Sequence, residues 1–558
     1  MGRNVMALDN CFLYSKNDVL GLANSVLHGY AISENALIIN TDGLNTYLGS
    51  RKNDFLPEEG RFCGLFKYKD KIIIKSDIHG QDIIYVYRKG TDWAISNSFM
   101  MLSMYASKAG KINFYQPAAL NFFLKNGYHV GEQLLSHKTM IEEIEILPVN
   151  QEIHVDRVTG KTEFISTDFE SRFKIIETES DYEDTIISML SHGMSLLEAI
   201  VASNQDIYLS LSGGYDSRLV LGMISRGLID SKKVYIRSDI NREKDFVIAE
   251  QLCKKFGFNL NDFSPPKRNS SLSASESLRM FLLSCGGTYL PIYPVNSGVL
   301  STENVLRLTG DYSADASFFS GKAMFNGSMR KISGDIAQCL EGKDRGGQVV
   351  NDFLTTFDVL GVDIDSPISS VAYYSAIRSR HHCGRQWYKT MGSDYLMTPL
   401  MSKNFTSLNL LNYSQSRRED ELFTDIFCAM GKWATETPFE SAKGNLDPNL
   451  IANSKFNAGV KFDVINYEIF GSFRDPKNNT ISSLDLPLKF NFNEADFKEV
   501  LTDTFNRTRK EVKNDLFCEK DIERARMEIS KQGRLSHEYR CLTHMLYVSL
   551  VRGLVEKS

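Results

Sequence analysis

The stretch "DIYLSLSGGYDSRLVLGMI", Asp206 to Ile224, restricts the fold more than any other part of the chain. Its first half alternates apolar and polar residues, the period of a half-buried strand. Apolar residues then recur at Leu219, Val220, Met223 and Ile224, the period of a helix. Only a short turn containing Gly213 and Gly214 separates the two. A strand that passes directly into a helix begins a strand–helix–strand unit, whose strands run parallel. "VYIRSD" reads as the next strand and "EKDFVIAEQLCKKFGF" as a helix ending at Gly257. Helix, strand and helix alternate in this way from Tyr182 to about Leu260. The pattern predicts a parallel sheet with helices on both faces.

The N-terminal part has a different rhythm. Residues 1 to about 165 read as strands, with hairpin turns at Lys69-Asp70, Lys89-Gly90 and Thr159-Gly160. One helical stretch, Gln116 to Lys125, interrupts them. Residues 166 to 182 are polar and charged and read as a linker. The expected domains are therefore 1–170 and 183–558. Beyond Ser264 the chain reads as mainly helical with long loops, such as "SPPKRNSSLSAS" and "DPKNNTISSLD".

At 558 residues the chain is long enough for two or more cores, and its 42% hydrophobic and 24% charged content is that of a folded protein. A net charge of −5 with mixed signs favours neither a nucleic-acid backbone nor an anionic membrane. Nine scattered cysteines without a CxxC pair argue against a disulfide scaffold or a structural zinc site. No run approaches the ~20 apolar residues of a membrane span. The N-terminal "MGRNVMALDN" has neither the apolar core of a signal peptide nor the myristoylation pattern. A reduced, cytoplasmic protein is expected.

The turn itself has a chemistry. Glycines between a strand and a helix allow close backbone approach and aim N–H groups at one point. The helix N-terminus adds partial positive charge there, so the turn suits an anion such as phosphate. It is not a Walker loop, because no lysine follows the glycines. Phosphate charge would then need another partner, and Asp216 could hold Mg²⁺ for it. The plainer reading is a turn with a capping aspartate.

The full string S-G-G-x-D-S, Ser212 to Ser217, resembles the PP-loop of the ATP pyrophosphatases. The chain as a whole resembles the asparagine synthetase and β-lactam synthetase family over roughly residues 60 to 400. "RLTGDYSAD" is similar to that family's second nucleotide loop, and "SDYLMTPLM" to its P-F-L-D segment. "GLFKYKDKIIIKSDIHGQDIIYVYRKGTDWAISNS" and "TMIEEIEILPVNQEIHVD" resemble parts of its amidotransferase-like N-terminal domain. The resemblance implies an αββα sandwich of the N-terminal-nucleophile type (α+β). A PP-loop α/β synthetase domain with helical C-terminal additions follows it. It implies ATP and Mg²⁺ as cofactors, with Asp216 and Asp315 as metal ligands and Asp311 as the alternative to Asp315. It places Leu211, Ser212, Gly213, Gly214, Asp216, Ser217, Ile236, Thr309 and Gly310 around the nucleotide. Arg237 ends the second strand, where it would contact phosphate or simply be exposed. Tyr312 stands where the β-lactam-forming relatives carry a tyrosine. Their C-terminal lysine has Lys455 as its counterpart, with Lys461 as alternative.

The chain also departs from the family. Glutamine-using members begin Met-Cys, and the exposed cysteine attacks the glutamine amide. Here residue 2 is glycine, and Cys11 and Cys63 are internal, better suited to buried structural thiols. The implied reaction is then glutamine-independent amide formation through an acyl-adenylate. Its partners would be a small-molecule or peptide carboxylate and an amine, and a homodimer is compatible with the family. One alternative is amidation of an amino acid or uronic acid with free ammonia or a separate ammonia source. The other is a non-catalytic nucleotide-binding protein. Finally, "RSRHHCGRQW", Arg378 to Trp387, concentrates charge. It reads either as arginines that fork onto a carboxylate or phosphate, or as a solvated helix face with one interior histidine.

Overall fold

The computed structural model describes residues 11–51, 55–124, 130–203, 205–227, 229–262, 281–290, 305–310, 329–340, 343, 345–385, 396–414, 419–440, 445–458, 460–463, 465–473, 502, 505–506, 516–530 and 539–558. The chain is mixed α/β, with both antiparallel and parallel pairing. Among the described residues, ten strands lie in the N-terminal part: β1 (Leu13–Ser15), β2 (Val26–Ser33), β3 (Ala36–Ile39), β4 (Glu59–Tyr68), β5 (Lys71–Ser76), β6 (Tyr85–Lys89), β7 (Asp92–Ser96), β8 (Ile144–Ile146), β9 (Gln151–Asp156) and β10 (Thr162–Ser166). They form an antiparallel four-stranded sheet, β1–β7–β6–β8, and a larger sheet containing β10–β9–β5–β4–β2–β3. The two sheets bury their facing residues together: Cys63, Leu65, Ile72 and Ile74 against Val86 and Ile95. Helix α1 (Asn40–Arg51) covers the outer face of the larger sheet through Leu44. Helix α2 (Phe99–Ala109) packs on the outer face of the smaller one.

The three expected hairpins form, and each turn carries a residue in the left-handed region. Lys69 has φ 53°, Gly90 φ 61° and Gly160 φ 68°. At the last, Asp156 Oδ1 accepts the N–H groups of Val158 and Thr159. The helical stretch expected from Gln116 is shorter than its pattern: an α-helix at Gln116–Leu120, then a 3₁₀ turn at Asn121–Phe123. The main helix of this region is instead α2, capped by Ser98. The expected linker is also tied down. Phe169 and Phe173 are buried, and Phe169 N–H donates to Leu360 O (2.9 Å).

A capping box at Thr178 and Asp181 starts helix α3 (Glu179–Ala202). By length and composition α3 could cross a membrane, but 67% of its apolar window is buried inside the protein, so it is a core helix. The four-stranded parallel sheet follows: β11 (Asp206–Ser210), β12 (Val234–Arg237), β13 (Val305–Leu308) and β14 (Leu396–Met397). Helices α4 (Tyr215–Arg226) and α5 (Glu243–Phe256) alternate with the first two strands, and α5 ends at Gly257 in the left-handed conformation. The strand order is β12–β11–β13–β14. β12 lies on one side of β11 and β13 on the other, so the strand order reverses between β11 and β13.

The chain then folds back on its beginning. Strand β15 (Glu468–Phe470) pairs in parallel with β3 and completes a seven-stranded sheet. The C-terminal helix Arg540–Lys557 joins the core on the α2 side, and Tyr547 Oη donates to Tyr289 O (2.5 Å).

Candidate functional site

A doubly wound sheet opens a crevice at the carboxyl ends of its strands where the order reverses. Here that point is fixed by the ends of β11 and β13. The carboxyl end of β11 leads into Leu211, Ser212, Gly213 and Gly214, and that of β13 into Thr309 and Gly310. Ile236 and Arg237 close β12 beside them; Ile236 is buried and Arg237 exposed. Leu211 N–H donates to Arg237 O (2.8 Å), and Thr309 N–H to Met397 O (3.1 Å).

The two loops touch. A Cβ on Gly310 would stand 2.4 Å from the Asp216 carbonyl carbon and 2.6 Å from both Asp216 Cβ and Ser217 N. Glycine is therefore required for the second loop to lie on the first turn of α4. Asp216 sits in that first turn, where a carboxylate suits the helix dipole.

Gly213 is held from both sides. Its N–H donates to Asp245 Oδ1 on α5 (2.7 Å), and its carbonyl accepts the Glu440 N–H (3.2 Å). A Cβ here would meet Glu440 Cβ at 2.8 Å. Hydrogen bonding to Asp245, then burial, holds the Glu440 carboxyl above the usual carboxylate range. Arg218, fully buried, donates to Thr437 O and Pro438 O (2.7 Å each) and stacks 3.7 Å over Phe439. It braces the 437–440 segment against the loop.

The remaining loop donors are arranged differently. Ser212 N–H donates to Ser217 Oγ (3.0 Å), and Gly214 N–H to Ser212 Oγ (3.3 Å). Gly214 is the N-cap of α4 and supplies no side-chain cap for its first-turn amides. A Cβ on Gly214 would meet only Ser212 Oγ, at 3.4 Å, so the backbone there is open to approach. Gly213 N–H is thus bound across to α5, whereas the Ser212 and Gly214 amides are bound within the loop itself.

Ten of the expected nucleotide residues thus converge on one edge of one sheet. Asp311, Tyr312 and Asp315 lie outside the described residues. Lys455 is 58% exposed, and among the described residues its ammonium pairs with Glu183 (2.8 Å) and Glu179 (3.7 Å) at the start of α3. Asp245, Glu440 and Arg218 were not singled out from the sequence. Arg218 directly follows the S-G-G-x-D-S string, which is the one signal that pointed to it. Among the described residues no group of three His, Cys, Asp or Glu side chains is poised to hold a metal.

In the sandwich, Cys11 and Cys63 are completely buried. Burial pushes the Cys11 thiol up to about 12 and raises that of Cys63. The reading of "RSRHHCGRQW" as a solvated face is overturned. Arg378, Arg380, His381 and Arg385 are all buried, because this segment docks against the end of the sandwich. No protein-family model matches the chain, and no curated protein matches it.

Proposed function

We propose that the β11–α4 turn is a PP-loop and that the protein is an ATP-dependent carbon–nitrogen ligase working through an acyl-adenylate. The N-terminal sandwich is then an amidotransferase-like domain of the N-terminal-nucleophile type that has no glutaminase role. The observation that carries the reading is the seat of Gly310 on Asp216, which joins two glycine loops at the switch point of a parallel sheet. A substrate carboxylate would attack the α-phosphate of ATP, and pyrophosphate would leave. The first-turn amides of α4 would meet the charge that develops on it. Asp216 would hold Mg²⁺, which neutralises phosphate charge. An amine would then displace AMP from the acyl group. The inert, buried thiols of Cys11 and Cys63 support an amine that is not drawn from glutamine.

The test is release of pyrophosphate from ATP and Mg²⁺ over a panel of carboxylates. Turnover should require one class of carboxylate and should vanish in Asp216→Ala. Undiminished turnover in that variant would refute the mechanism. Nucleotide binding without exchange of labelled pyrophosphate into ATP, for any carboxylate, would favour a non-catalytic nucleotide-binding protein. Dependence on added ammonium would favour direct amidation.

A further inference from the structure

Gly213 lies inside a closed ring of hydrogen bonds. Its N–H donates to Asp245 Oδ1 (2.7 Å), its carbonyl accepts the Glu440 N–H (3.2 Å), and the Glu440 carboxyl is hydrogen-bonded to that of Asp245. The three groups crowd one point. A Cβ on Gly213 would stand 2.8 Å from Glu440 Cβ and 3.1 Å from Asp245 Oδ1. Two links of the ring start from backbone amides. The third joins two carboxyl groups and exists only while one of them keeps its proton, because an ionised carboxylate is an acceptor only.

The charged neighbours come from two helices. From α5, Arg242 Nη1 stands 3.7 Å from Asp245 Oδ2, and Arg242 and Lys244 both favour the ionised form of Glu440. Arg242 is 72% exposed, so its charge is screened. From α4, Tyr215 lays its ring against Phe439 (4.4 Å). Arg218 holds Thr437 O and Pro438 O, stacks on Phe439, and reaches Gly213 O at 3.5 Å. The bond to Asp245, then burial, outweighs the cations and keeps the Glu440 carboxyl above the usual carboxylate range.

We propose that residues 437–440 form a latch on the glycine turn, shut by a proton shared between Asp245 and Glu440 and released when that proton leaves. With both carboxyls ionised, the bond becomes a repulsion between like charges in contact. That repulsion acts on a segment tied to Gly213 through the Glu440 N–H. A guanidinium stays charged throughout this range, so Arg218 keeps its grip and release is confined to the Glu440 end. A raised carboxyl stabilises the shut form below its unfolded value, and the stabilisation is lost as pH rises through the folded one. The latch does not rest on the ATP reading, because no nucleotide takes part in it.

Hydrogen exchange of the full chain, without nucleotide, tests it. Mass spectrometry would follow peptides covering 211–214 and 437–440 from about pH 5 to about pH 8, with rates divided by those of unstructured peptide at each pH. Protection of the Gly213 and Glu440 amides should be lost as pH rises, while that of β11 stays constant. In Glu440→Gln the side-chain amide can donate to Asp245 without a shared proton, so protection should persist across the range. Glu440→Ala should lose it at every pH. Glu440 is exposed, so neither variant disturbs the core. A parent profile without pH dependence, a Gln variant that loses protection as the parent does, or an Ala variant protected like the parent would each overturn the latch.

Discussion

Replacing Gly310 by alanine probes the contact between the two loops. The new Cβ would fall 2.4–2.6 Å from Asp216 C, Asp216 Cβ and Ser217 N. Two of those atoms are backbone, so no side-chain rotation relieves the overlap and the loops must part. Overpacking of this kind costs about 1–3 kcal/mol. If the cost is paid by local separation, amide exchange across 212–217 should accelerate by about five- to 150-fold. Gly214→Ala is the control. Its Cβ would meet only Ser212 Oγ, at 3.4 Å, and its φ of −82° suits alanine. Its cost should stay near 1 kcal/mol or below, the loss expected for alanine at an N-cap. Yet it should weaken ATP binding, since the methyl group fills the approach to the α4 amides. Hydrogen exchange by mass spectrometry with and without ATP reads both effects. Unchanged exchange in Gly310→Ala, or equal effects of the two substitutions, would refute the loop-on-loop geometry.

Acid should destabilise the protein well above the carboxylate range. Burial lowers His28 to about 4 and His79, His137, His381 and His544 to about 3. A lowered folded pKa gives stability that is present above the unfolded value, near 6.5, and is lost as pH falls toward the folded one. Asp77 works in the opposite sense: burial raises it to about 6, so its contribution is lost as pH rises through 6. Each pKa unit is worth about 1.4 kcal/mol, so five histidines outweigh one aspartate. Urea midpoints should fall from pH 6.5 to 4.5, and a flat or rising profile would contradict this. At the other sheet edge, Gly43→Ala places a Cβ 2.4 Å from Phe470 O and should release β15. The amides of 468–470 should then exchange freely, whereas Arg51→Ala, which breaks an exposed ion pair to Glu468, should cost under about 1 kcal/mol.

What could be read from the sequence was what is local. The turns at Lys69, Gly90 and Thr159-Gly160 flank alternating residues, and the β11–α4 unit changes period across two glycines. Helix α2 was missed because "FMMLSM" is buried on nearly every side and shows no period. The β2–β3 hairpin turns at Glu34, whose φ of 47° no turn-forming glycine advertised. Asp245 reaches Gly213 from 32 positions away, and nothing in either segment specifies that bond. The arginines of 378–385 look like surface residues by composition. Only the docking of that segment on the sandwich, a long-range event, buries them.

The return of β15 to β3 also sets a timetable. Arg51 and Glu468, which pair beside that junction, are 417 positions apart. At ~5–20 residues added per second, β3 waits about 20–80 s on the ribosome before its neighbour exists. The helix that covers the α2 side comes later still, at the C-terminal end of the chain. Throughout that interval the nascent sandwich presents an unpaired edge and uncovered apolar surface, the features that recruit wrong partners. The place of β15 in the chain therefore leaves that edge open until late in synthesis.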